Sequence, residues 1–189
     1  IKSSAASDVY KRQADLYAEE LKAEGGVISG EQFVDECQVE SDLELLLPAT
    51  YVTGSSERML LYRELDSLTL DKDVEAFRNR LIDRFGPVPS ETEELLRIVP
   101  LRRLAARLGA EKVFLKGGRM SLFFISNPES PYYQSQAFGK VIAYMMKYTR
   151  RCDLREQNTR RSMLVKDVKN VETAVGVLQE IVAMQVEEG

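Results

Sequence analysis

Any chemistry this 189-residue chain performs must be built from 26 Lys and Arg, 30 Asp and Glu, two Cys and no His. Without His there is no imidazole base for a Ser or Cys nucleophile, and no imidazole ligand for a metal. Cys37 and Cys152 are too few for a structural zinc site. They lie far apart in a chain without a secretory signal, and read as buried free thiols rather than a disulfide. No G-x-x-x-x-G-K-[ST] phosphate loop and no G-x-G-x-x-G fingerprint occurs. Carboxylates are abundant, but no spacing forces two of them together. No residue is therefore assigned to catalysis, to a cofactor or to a metal. A small hydrolase or transferase ranks last among the functions, because no nucleophile has a base beside it.

What remains is recognition by charge. The formal net charge is -4, but it is unevenly spread. Residues 111–170 carry a net +7 and the remainder -11. Arg150, Arg151, Arg155, Arg160 and Arg161 are the densest basic stretch. As strand-edge and loop arginines they suit phosphates or an acidic partner. The competing reading is a solvated edge whose charges prevent strand pairing. Tyr132 and Tyr133 read as a hydrophobic staple before a helix rather than a base-stacking platform.

These residues need elements to hold them. From Val39 a strand pattern begins, with Leu43, Leu45 and Leu47 on one face alternating with Asp42 and Glu44. Leu46 breaks the alternation, so the end is expected to be buried on both sides before Pro48 stops it. Three helices follow. The first opens at Thr53-Gly54-Ser55-Ser56, whose hydroxyls suit capping, and carries Met59, Leu60, Leu61 and Leu65 as its apolar stripe. On this helix Arg58, Tyr62 and Arg63 share a face, with Tyr62 half-buried and its hydroxyl outside. The second carries Val74, Phe77, Leu81, Ile82 and Phe85, and Gly86-Pro87 ends it. The third opens on the capping-box match Ser90-Glu91-Thr92-Glu93, and Pro100 should break or kink it. A hairpin over residues 112–125 turns at Gly117-Gly118. Residues 132–148 read as a helix, 152–156 and 162–168 as strands, and Asn170 caps a last helix. The fold class is α+β: a small, mainly antiparallel sheet packed with about five helices.

Hydrophobic residues make up 44% of the chain and charged residues 30%, a globular balance. No apolar run approaches a membrane span, so no membrane association is expected and the compartment is the cytoplasm. Residues 1–13 resemble a translated sequencing-adapter read-through or a disordered tail. Residues 14–30 read as a short detached helix and linker, and residues 31–189 as the single compact domain that must explain function.

Residues 55–108 resemble the C-terminal domain of the bacterial transcription-repair coupling factor family. The carriers are Leu43-Glu44-Leu45-Leu46-Leu47-Pro48, the helix with Arg58, Tyr62 and Arg63, and above all Leu81-Ile82-Asp83-Arg84-Phe85-Gly86-Pro87-Val88-Pro89. Leu95-Leu96, Leu101-Arg102, Ala106 and Leu108-Gly109 follow in the same order. The block Asp153-Leu154-Arg155-Glu156-Gln157-Asn158 is similar to variants from the Bacteroidales. Arg80 stands where some members carry an acidic residue.

The resemblance implies a parent protein that is an ATP-driven DNA translocase, using ATP and magnesium in motor lobes this chain lacks. The parent would displace stalled RNA polymerase and recruit UvrA in nucleotide-excision repair. The helix at residues 14–23 would be the end of the second motor lobe. The C-terminal domain would be a non-catalytic regulatory, autoinhibitory module that masks the UvrA-binding surface of a UvrB-like module of the same chain. Candidate contacts are Asp83, Arg84, Arg80, Arg58 and Arg63, with Asp83 facing a partner Arg and Arg84 a partner carboxylate. The alternative is a nucleic-acid-binding module using the basic half, residues 111–170, whose duplex binding would weaken steeply with salt.

Overall fold

A computed structural model describes residues 32–186. The expected tail and detached helix of residues 1–30 lie outside the described residues. The elements run β1 (Gln38–Ser41), α1 (Ser55–Ser67), α2 (Asp71–Phe85), α3 (Ser90–Arg107), β2 (Ala110–Lys116), β3 (Arg119–Phe124), a 3-10 turn (Pro131–Gln134), α4 (Gln136–Lys147), β4 (Cys152–Gln157), β5 (Arg160–Val165) and α5 (Val171–Ala183). The five strands form one sheet in the order β1-β2-β3-β5-β4. Only β1 and β2 are parallel. A parallel pair needs a long crossover, and α1, α2 and α3 supply it. The α+β class expected from the sequence is the one observed.

Side-chain alternation divides the sheet into two faces. Val113, Leu115, Met120, Leu122, Phe124, Met163 and Val165 point to one face, are fully buried, and join the main core with Leu101, Leu104, Val141, Tyr144, Val171 and Leu178 from the helices. A second cluster lies among α1, α2 and the first half of α3: Leu61, Leu65, Phe77, Leu81, Leu96 and Val99, with Leu47 and Val52.

Several sequence expectations need correction. The strand stops at Ser41, well before Leu47. The Asp42 N–H still reaches Leu115 O, but Ser41 Oγ then accepts the Leu43 N–H at 3.0 Å and turns the chain. The leucines part company there: Leu43 and Leu45 pack on the main core, and Leu47 enters the helical cluster. Met59 and Leu60, expected in the stripe of α1, are 58% and 64% exposed. The buried pair is Leu61 and Leu65, one turn apart. No side chain caps α1, and Pro89 rather than Ser90 is the N-cap of α3. The capping box fails because Ser90 lies inside the first turn with its hydroxyl donating to the Glu91 carboxylate at 3.0 Å, and Glu93, the other member, holds Arg78; Thr92 between them is fully buried, its hydroxyl donating to Leu46 O.

Pro100 does not break α3. Its missing donor and ring clash cost about 3 kcal/mol. Burying Leu96, Val99, Leu101 and Leu104 around it, at about 1.5–3 kcal/mol each, outweighs that. The helix expected over residues 132–148 is split instead. Tyr132 sits in a 3-10 turn with its ring fully buried, and Ser135 then caps α4 by accepting the Phe138 N–H. Tyr132 is thus a core residue, packed against Phe33, Phe124 and Phe138, and offers no stacking platform. The Gly117-Gly118 hairpin turn and the Asn170 cap are as expected, with φ of 61° and 71° in the turn and Asn170 Oδ1 accepting from Thr173 N at 2.7 Å.

Gly109 closes α3 at φ +83°, and a Cβ placed there would meet Tyr132 Cε2 at 2.1 Å. Gly86 ends α2 at φ +87° with nothing within 4 Å of such a Cβ. Gly109→Ala should therefore cost about 2–4 kcal/mol and Gly86→Ala about 1 kcal/mol. Urea unfolding midpoints compare the two, and equal losses would show that the Tyr132 contact is not the constraint.

Candidate functional site

The five contact candidates all lie on α1 and α2, and three of them also have partners within the chain. Arg58 Nη1 donates to Val52 O at 2.7 Å and Thr53 O at 3.2 Å, tying the start of α1 to the turn before it. Arg80 pairs with Glu64, and Arg84 with Glu57, so both arginines bridge α2 back to α1. Their guanidinium carbons also sit 5.5 Å and 4.9 Å from the ring centres of Phe77 and Phe85. Arg63 and Asp83 are exposed and have no hydrogen bond or ion pair among the described residues. The Tyr62 hydroxyl is not left to solvent: it accepts the Leu47 N–H at 2.7 Å and anchors the segment that links the sheet to α1.

Sequence reasoning assigned Met59 and Leu60 to the core, yet both are exposed, and Leu60 is the apolar centre of this surface. Leu60 lies three residues after Glu57 and four before Glu64, so on the helix it falls between the two cross-helix ion pairs. The signal was available: Leu61 and Leu65 already complete one buried stripe, which places Met59 and Leu60 on the opposite arc. The ion pairs are open to solvent, with side chains 35–58% exposed. Each is worth at most about 1 kcal/mol and weakens with salt. The surface can therefore offer an apolar contact with a charged rim at little cost in stability.

The basic stretch is dispersed by the fold. Arg151 is structural: its Nε donates to Lys166 O at 2.9 Å, and its other nitrogens reach Tyr144 Oη and Asp167 O at 3.4 and 3.3 Å. Arg150 is exposed with no partner among the described residues. Arg155 and Arg160 share the sheet face that points away from the helices, and Arg161 alternates to the other face, 4.4 Å from the Tyr133 ring centre. Arg160 pairs with Glu111 at 3.3 Å and lies 5.3 Å from the Phe123 ring centre. Lys112, Phe114, Lys116, Arg119 and Phe123 fall on this same open face. The one-in-two spacing of Lys112, Phe114 and Lys116 was the overlooked signal.

Both cysteines are free and buried. Burial pushes the Cys37 thiol up to about 12, against a smaller opposing pull from Arg102. Burial also raises Cys152. Neither is a ready thiolate at neutral pH. Among the described residues no three acidic, Cys or His side chains are grouped to hold a metal, and no helix is long and apolar enough to cross a membrane.

Residues 41–135 match the family model described as the TRCF domain. Among curated proteins, the chain is similar to the transcription-repair-coupling factor of Rickettsia bellii, 29% identical over 150 residues, covering 76% of this chain and 13% of that protein. It is 26% identical over 149 residues to that of Rickettsia typhi, covering 77% and 13%. It is 25% identical over 146 residues to that of Staphylococcus haemolyticus, covering 72% and 12%. The chain thus spans little more than a tenth of the length of these relatives. A crystal structure of the C-terminal domain of a transcription-repair coupling factor matches with a TM-score of 0.59 at 20% identity, covering 78% of this chain and 96% of that one. That likeness is one of fold.

Two measurements check the geometry. Arg151→Ala should destabilise by about 1–2 kcal/mol, because two backbone carbonyls lose a charged donor, while Arg150→Ala should stay within about 0.5 kcal/mol. Both thiols should resist an aromatic disulfide reagent in the native protein at pH 8 and react fully in denaturant. Rapid native reaction would place a cysteine at the surface.

Proposed function

The chain belongs to the TRCF domain family, and from that premise we propose that it is a non-catalytic regulatory interaction domain in transcription-coupled nucleotide-excision repair. In this reading it docks on a UvrB-like module of the same parent chain and masks the surface that binds UvrA. It lets go when the parent engages stalled RNA polymerase. DNA translocation, with its ATP and magnesium, belongs to the motor lobes of the parent protein, in a machine that works in the bacterial cytoplasm.

The observation that carries the proposal is the exposed Leu60 between two cross-helix ion pairs, inside the matched residues 41–135. A domain that must bind and release needs an interface of ordinary polarity: a small apolar centre, a polar rim, and no large buried apolar area. The free Asp83 and Arg63 supply charges of both signs to that rim. Each can select a partner charge without a buried ion pair. Release then follows from competition: a partner that binds the undocked state better shifts the population by its differential affinity.

The test mixes the whole chain with the separately expressed UvrB-like module. Leu60→Asp and Asp83→Lys should each weaken binding by at least about tenfold, some 1.4 kcal/mol, with Arg150→Glu unchanged. Binding indifferent to both variants would move the contact off α1 and α2. Absence of any binding would end the masking reading.

A further inference from the structure

The sheet face that points away from the helices is the largest feature the regulatory reading leaves unused. Its Phe114, Phe123 and Leu164 belong to neither hydrophobic cluster. Between β3, β5 and the edge strand β4 it is hollowed into an open pocket of about 450 Å³. Two arginines, Arg155 and Arg160, line the pocket, and their carboxylate partners, Asp153 at 4.0 Å and Glu111 at 3.3 Å, stand outside its lining. The Arg160 Nε is buried and has no hydrogen-bond partner. An unmet buried donor costs about 1–3 kcal/mol, and the same guanidinium donates through Nη2 to Glu111 at 3.3 Å. The side chains of Ser121, Ser162, Gln157 and Asn158 also line the pocket and make no hydrogen bond among the described residues. Asn158 is presented by a two-residue turn in which Asn158 and Thr159 both hold positive φ, 52° and 66°. For a β-branched Thr that conformation is strained, and such strain concentrates where a ligand is held.

We infer that this face binds a single strand of nucleic acid, with one phosphate against Arg155 and Arg160 and the adjoining base over Phe123. One feature favours a strand over an acidic peptide, and two more suit an extended polar anion. The half-buried Phe123 ring offers apolar area for a base. Gln157 and Asn158 bring acceptors as well as donors, which match base edges. The positive charge also continues across the face. Lys112 and Lys116 share one carboxylate, Glu40, each at 3.6 Å, and Arg119 has no partner among the described residues. From β4 to β2 the face spans three strand spacings, about 14 Å, so further phosphates can follow the first.

The test is fluorescence anisotropy with the whole chain and a labelled oligo-dT of about 12 nucleotides. Separate arms use the matching duplex, a polyglutamate peptide and thymidine monophosphate. The expected result is saturable oligo-dT binding, with log K falling by about 2 per decade of salt for three contacted phosphates. Arg155→Glu should weaken it by at least about tenfold and Ser162→Ala by less. Asp83→Lys, on the helical surface, should leave it unweakened. No saturable binding at low salt, or binding unmoved by Arg155→Glu, overturns the inference. Equal or tighter binding of the peptide makes the face an acidic-protein surface. Equal or tighter duplex binding, or thymidine monophosphate matching the oligomer, rejects the strand. Neither result bears on the UvrB-like module, so this inference and the masking proposal fail separately.

Discussion

Helix α3 is buried by two cores at once, and the rest of the structure depends on that. Leu96 and Val99 belong to the cluster of α1 and α2, while Leu101, Leu104, Ala105 and Leu108 belong to the core under the sheet. Pro100 stands at the change-over. The polar side chains of α3 tie down its neighbours as well. Glu93 holds Arg78 of α2, with Nη2 and Oε1 2.8 Å apart, and Arg103 makes two 2.9 Å bonds to Asp71 at the start of α2. Glu94 reaches the other way: its two oxygens accept the Val171 and Glu172 N–H groups at 3.0 and 3.1 Å, at the opening of α5. An anionic side chain there meets both the orphan donors and the positive end of the helix dipole. One rigid helix therefore sets the position of the helical surface relative to the sheet.

That arrangement separates two surfaces of different chemistry. The α1–α2 surface has its apolar centre in the open and both signs of charge around it, which suits a reversible contact with a folded partner. The open sheet face is positively biased and dotted with unpaired hydrogen-bonding groups, which suits an extended anionic ligand. The basic residues 111–170 supply the open face with Lys112, Lys116, Arg119, Arg155 and Arg160, while α1 and α2 are close to balance, with 6 Lys and Arg against 7 Asp and Glu over residues 55–85. Much of the raw charge, though, is spent inside the fold. Arg58, Arg80, Arg84 and Arg151 all hold their own chain together. A count of arginines overstates what is offered to partners.

The fold class, the three consecutive helices, the Gly117-Gly118 hairpin and the Asn170 cap were legible because each rests on local rules. These are the 3.6-residue period, positive φ at glycine, and a side-chain acceptor for a free N–H. The errors fell where a local rule met a competing long-range partner. Ser90 and Glu93 could form a capping box on α3, but Glu93 is recruited by Arg78, 15 residues away. The leucines at 43, 45 and 47 alternate as a strand would, yet two cores divide them. Of the five contact residues named from the sequence, Asp83 and Arg63 stay free, and the other three are engaged by groups 5–27 residues away.

By itself, then, the sequence determined what is carried by residue type and spacing. It excluded imidazole chemistry and phosphate-loop chemistry, set an α+β order of elements, and placed the Leu81–Pro89 motif that carries the family resemblance. Only the tertiary structure decided which charges remain available, which apolar residues face outward, and that Arg155 and Arg160 share a pocket while Arg161 does not. The physical reason is pairing. A side chain's exposure and partners are set by segments far away along the chain, and a periodic pattern holds no record of them.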